Sequence, residues 1–142
     1  MNERRRSFLA GERLDDVLLY LSDAVVSNAE ELTEYGDTVD DGVVLVLSGE
    51  KGRTVFEQAV GVPAMTFASG AMETEGTIEH DCTHGDCPVA DPSDPHELRF
   101  VLAFGEAQNE DVGGIYAEGD VIHAYGACTC GESYSDRWLA TE

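Results

Sequence analysis

Val43-Val-Leu-Val-Leu47 leaves its backbone few options. An unbroken apolar run of strand length, bounded by Gly42 and Ser48, has no polar face to give to water. Such a segment is expected as a central strand covered on both sides. Val17-Leu-Leu-Tyr-Leu21, between Asp15-Asp16 and Ser22-Asp23, repeats the pattern, and Leu98-Arg-Phe-Val-Leu-Ala-Phe104 supplies a third strand. A sheet buried on both faces needs helices to cover it, and the segments between the strands provide candidates. From Asp23 to Tyr35 the apolar positions Val26, Ala29, Leu32 and Tyr35 recur at helical spacing, and Gly36 stands where a helix stops. Residues 53–60 and 63–72 read as two further helices, separated by Gly61-Val-Pro63, with Pro63 suited to a first helical position. Met65, Ala68 and Met72 form a stripe expected to fill the core.

The expected fold is therefore α/β (or α+β): a single compact domain over residues 1–142, with a mixed sheet of about four or five strands and helices packed on it. Ile115-Tyr-Ala117 and Val121-Ile-His-Ala-Tyr125 are expected as a hairpin about Glu118-Gly119-Asp120. Tyr134 and Trp138 stand at helical spacing, so a short helix is expected at the end of the chain. Residues 74–97 lose all periodicity and gain Gly, Pro, Asp, His and Cys. An irregular insert of that length in a small domain needs something to order it, a function or an ion.

Charge narrows the environment. Asp and Glu number 29 against 8 Lys and Arg, a net charge of -21 spread along the chain. In dilute buffer such a surface repels itself, whereas at molar salt the screening length falls to about 3 Å and the repulsion fades. With 42% apolar residues the chain is too hydrophobic for a disordered polyanion. The reading is a halophilic, cytoplasmic protein. No basic face exists for phosphate contacts, so direct nucleic-acid binding is not expected. No membrane association is expected either, because no stretch approaches the roughly 18 apolar residues of a spanning helix. Arg5-Arg6-Ser7-Phe8-Leu9 resembles the start of a twin-arginine signal, but Gly11-Glu-Arg-Leu-Asp-Asp16 replaces the apolar region that must follow. Ser48-Gly-Glu-Lys-Gly-Arg-Thr54 is too short for a P-loop and places Lys51 before the second glycine. It is expected as a connecting turn with Gly52 or Thr54 capping the helix.

All four cysteines fall into two pairs, Cys82-x4-Cys87 and Cys128-Thr-Cys130. In a reducing cytoplasm such thiols serve more often as metal ligands or redox groups than as structural disulfides. Gly85 lets the first loop fold round an ion, and Gly131 lets the chain turn away after the second pair. A structural zinc ion held by Cys82, Cys87, Cys128 and Cys130 is the leading assignment. His84, or else His80, can replace Cys82 as a ligand. Strand alternation from Val121 puts His123 with Tyr125 on one face and Ile122, Ala124, Cys128 and Cys130 on the other, unless Gly126 holds a bulge. His123 is thereby set aside as a ligand, and His96 reads as a solvated loop residue. Free buried thiols, redox chemistry at Cys128 and Cys130, and thiolate-bound iron are the alternatives. No zinc-deaminase pattern, nucleophile elbow or dinucleotide fingerprint occurs.

Phe8-Leu-Ala-Gly-Glu-Arg13, Asp16-Val-Leu-Leu-Tyr-Leu21, Tyr116-Ala-Glu-Gly-Asp-Val-Ile-His-Ala-Tyr125 and Tyr134-Ser-Asp-Arg-Trp138 together resemble a family of small haloarchaeal proteins, the domain of unknown function family 5807. The resemblance spans nearly the whole chain and implies a haloarchaeal origin, with no reaction or ligand to carry over. Two functional expectations follow: a non-catalytic, zinc-stabilised domain that binds a protein partner or a small ligand, or a thiol-redox or metal-dependent enzyme using Cys128 and Cys130.

Overall fold

A computed structural model describes residues 3–23, 25, 36–39, 42–89 and 97–140. A first helix α1 (Glu3–Leu9) precedes strand β1 (Asp16–Ser22), the short β2 (Asp37–Val39) and β3 (Gly42–Ser48). Helices α2 (Gly49–Val60) and α3 (Ala64–Ala71) follow, then β4 (Thr77–Ile78) and β5 (Gly85–Asp86). The chain ends with β6 (Leu98–Glu106), a single helical turn α4 (Ile115–Glu118), β7 (Val121–Cys128) and β8 (Ser133–Leu139). The helix expected over 23–35 lies outside the described residues, apart from Asp23 and Val25.

Among the described residues six strands form the main sheet in the order β2-β3-β1-β6-β7-β8, and every neighbouring pair is antiparallel. This corrects the expected mixed sheet of four or five strands. Continuous apolar runs signal burial on both faces, and an antiparallel sheet satisfies that signal equally well once both faces are covered. On one face α2 and α3 pack over Leu19, Leu45 and Leu102, with Phe56, Phe67 and Phe100 in mutual ring contact. On the other face α1, through Phe8, and the β4–β5 hairpin, through Ile78, Cys82 and Cys87, cover Leu18, Val101, Ile122 and Ala124.

The expected terminal helix is strand β8. Tyr134 and Trp138 are four apart, a spacing that puts two residues on one side of either a helix or a strand. Both are buried on the hairpin face, opposite Gly126 and Ile122 of β7. The expected 115–125 hairpin is also corrected: Ile115–Glu118 is helical, and β7 pairs with β6 and β8 instead. The methionine stripe of α3 does not fill the core. Ala64, Ala68 and Ala71 face inward with Phe67 packed beside them, whereas Met65 and Met72 are exposed. Ser48, not Gly52 or Thr54, caps α2 by accepting the Lys51 N–H at 3.4 Å, and Gly61 ends the helix at φ 91°.

One irregularity matters for the site. Between Leu98 and Phe100 the β6–β7 register shifts, so these residues, two apart, face opposite sides of the sheet. The bulge falls in β6 at Arg99, while Gly126 stays in register with Val101. Strand β7 therefore keeps its alternation to the end. His123 and Tyr125 lie on the α2–α3 side, and Cys128 lies on the hairpin side, as expected.

Candidate metal centre

The insert folds by backbone bonding. Ser135 N–H donates to the Thr74 carbonyl and Gly76 N–H to the Ser135 carbonyl, both at 2.9 Å, which lays the start of the insert along the open edge of β8. Ile78 N–H donates to the Asp136 carboxylate at 3.0 Å, and Thr129 N–H donates to the Glu97 carbonyl at 2.9 Å. His80 stacks on Trp138 with ring centres 4.6 Å apart. Arg5, on the buried side of α1, bonds the Asp37 carboxylate at 2.9 Å and reaches the Asp81 carbonyl at 3.4 Å. The insert thus has an ordering cause that needs no ion, although its far part, residues 90–96, lies outside the described residues.

Two tight loops then present the cysteines. The β4–β5 loop is closed by Glu79 N–H donating to the His84 carbonyl, and Cys82 N–H donates back to the Glu79 carbonyl, both at 2.8 Å. Cys82 sits at φ 67°, the left-handed region that non-glycine residues rarely adopt, and its thiol is fully buried. The β7–β8 hairpin turns through Thr129, Cys130 and Gly131, with Gly131 at φ 96° and its N–H donating to the Cys128 carbonyl. That turn, not strand alternation, aims Cys130.

The thiols of Cys87, Cys128 and Cys130 all lie within 4.8 Å of one another, with 3.8 Å between the sulfurs of Cys87 and Cys130. Zinc–sulfur bonds of about 2.3 Å in a tetrahedron place their sulfurs about 3.8 Å apart, so the trio has the spread of a thiolate metal site. Cys87 and Cys128 are buried and Cys130 is exposed, so one flank of the site meets solvent. None of the four cysteines is in a disulfide. Cys82 shares the apolar cluster of Cys87 and Cys128 but lies outside the mutually close trio. His84 is elsewhere too: with Glu79 and Asp81 it forms a separate, more exposed group of possible ligands within 4.8 Å. Its ring nitrogen is 2.9 Å from the Thr83 hydroxyl.

Burial sets the electrostatics. Desolvation pushes the Cys87 thiol up to about 11, with the neighbouring Cys130 and Cys128 adding to the rise and a backbone bond to Val89 opposing it. Cys82 is raised further, by complete burial and then by Asp81, with Arg5 opposing. Tyr134, buried against the cluster, is raised by desolvation and by the cysteines and Asp86 around it. Its ring and hydroxyl occupy the space where Gly76 and Gly85 would carry side chains. Without a cation the Cys82 and Cys87 thiols stay protonated at neutral pH, whereas a bound divalent ion would deprotonate its ligands. Tyr134 was not foreseen as part of the site, because only the strand pairing brings it under the hairpin.

Over residues 36–141 the chain matches the family of unknown function DUF5807, and it belongs to that family. No curated protein and no solved structure matches. Among the described residues no helix is long and apolar enough to cross a membrane.

Proposed function

We propose that membership in this family denotes a non-catalytic, zinc-stabilised binding or interaction domain of the haloarchaeal cytoplasm, in which Cys87, Cys128 and Cys130 hold the ion. The observation that carries the reading is the convergence of three sulfurs from two loops distant in sequence, all within 4.8 Å of one another, with Cys87 and Cys130 at the spacing of a tetrahedral edge. Cys130 is exposed, so a fourth ligand supplied by solvent or by a partner would complete the site. The partner is a protein or a small ligand; the acidic surface disfavours nucleic acid and anionic membranes alike.

The second reading is thiol-redox chemistry. Its supporting observation is that Cys87 and Cys130, not Cys128 and Cys130 alone, stand close enough for a modest shift to join them. Against it, the raised Cys87 pKa leaves little thiolate to attack at neutral pH. Purification in molar salt, followed by zinc and iron analysis per chain and thiol counting before and after chelation, separates the two. One tightly held zinc with protected thiols supports the first reading. Absence of metal together with a readily oxidised thiol pair supports the second and removes the first.

A further inference from the structure

The α2–α3 side of the sheet holds a cleft of about 410 Å³ that the cysteines do not reach. Its floor is the β7–β8 pair, where His123 lies opposite Arg137 and Tyr125 opposite Ser135. Tyr116 of α4 and Met72 at the end of α3 wall it, and Glu75 stands at its rim. The volume is that of a small-molecule site.

The walls are aromatic and aligned. Tyr116 stacks beside His123 with ring planes 28° apart, and Phe104 lies 27° from Tyr125 beneath. The Arg137 guanidinium lies over the Tyr116 ring at 5.6 Å and donates one bond to the Tyr116 hydroxyl at 3.3 Å. In a chain with 29 acidic residues, Arg137 makes no ion pair with a carboxylate among the described residues. A guanidinium has five N–H donors in a planar fork, so this one keeps donors for a bidentate acceptor, and the ring beneath holds the fork in place. Its strand partner His123 is kept neutral by burial and does not compete with it for anions.

We infer that this cleft binds a planar monocarboxylate, an aromatic acid or its equivalent, with the carboxylate on Arg137 and the ring against Tyr116, His123 and Tyr125. A second negative charge on the ligand would meet Glu75 and the acidic surface, which restricts the class to monoanions. The site stands on the opposite face of the sheet from Cys128, so the inference is independent of the metal reading.

Titration of the full-length protein with benzoate, followed by side-chain and backbone NMR at constant salt, tests it. Benzylamine and inorganic phosphate serve as counter-probes. Saturable shifts at Tyr116, His123 and Arg137 with benzoate, weakened at least about tenfold in Arg137→Gln, are expected for loss of a charge-assisted bidentate contact. Arg137 is exposed, so that variant keeps its fold, which its melting temperature verifies. Benzylamine or phosphate binding as tightly as benzoate, benzoate leaving the cleft resonances unmoved, or Arg137→Gln binding unchanged would each overturn the assignment.

Discussion

Cys87 and Cys130, 43 residues apart, bring their sulfurs to 3.8 Å, while Cys82, in the same hairpin as Cys87, stays out of the trio. On the proposed metal reading the two cysteines of the hairpin have different roles. Cys130→Ser is expected to abolish stoichiometric zinc, whereas Cys82→Ala keeps the metal and costs on the order of 1 kcal/mol for a small buried cavity. Metal content by mass spectrometry, read beside thermal melts of both variants, decides. Equal loss of zinc from both would return Cys82 to the ligand set.

Helix α2 meets β1 through a glycine. A methyl group on Gly52 would fall 2.0 Å from a Val17 methyl, inside the buried sheet face. Gly52→Ala is thus expected to lower stability despite the roughly 1 kcal/mol that alanine gains in a helix, since overpacking costs about 1–3 kcal/mol. Gly70 in α3 has open space at the same position. Gly70→Ala should raise the melting temperature, and differential scanning calorimetry of the two variants should show opposite signs.

Burial lowers the pKa of His123 below its ordinary 6.5, with Glu106 at 3.7 Å opposing the shift and Arg137 reinforcing it. The folded state binds this proton less readily than the unfolded chain does. The stability from neutral His123 is therefore complete above pH 6.5 and is lost as pH falls through the lower, folded-state pKa. Chemical denaturation across mildly acidic pH should show stability falling with pH, and His123→Gln should flatten that slope. An unchanged slope in the variant would assign it to other groups.

Arg5 and Asp37 form a bonded pair whose side chains are only 7% and 20% exposed. Removing one partner leaves a charge in a poorly solvated place, a cost of up to about 3–5 kcal/mol for fully buried pairs. Asp37→Ala should destabilise more than the double variant Arg5→Met with Asp37→Ala, because only the single variant leaves the guanidinium without its neighbouring carboxylate charge. Urea midpoints of the three proteins test this ordering.

The net charge of -21 predicts a melting temperature that climbs with potassium chloride well beyond the concentration at which neutral proteins level off. Scanning calorimetry from dilute buffer to molar salt measures it. A flat response would count against the halophilic reading.

Where side chains had to be buried on both faces, the residues announced it: Val17–Leu21, Val43–Leu47 and Leu98–Phe104 are β1, β3 and β6, the three adjacent central strands. The separation of His123 from Cys128 was equally legible, because strand alternation is a local rule and β7 carries no bulge. Tyr134 and Trp138 were ambiguous by their nature, since a spacing of four satisfies both helix and strand. Direction of pairing, the docking of Thr74–Gly76 on β8, and the choice of Cys87 over Cys82 beside Cys128 and Cys130 belong to the tertiary structure alone. Each depends on contacts between segments far apart along the chain. Composition and spacing led to the expectation that the two cysteine pairs would meet in a small acidic sheet protein; the left-handed turn at Cys82, the Gly131 hairpin and the packing of Tyr134 decided that Cys87, Cys128 and Cys130 face one another while Cys82 stands apart.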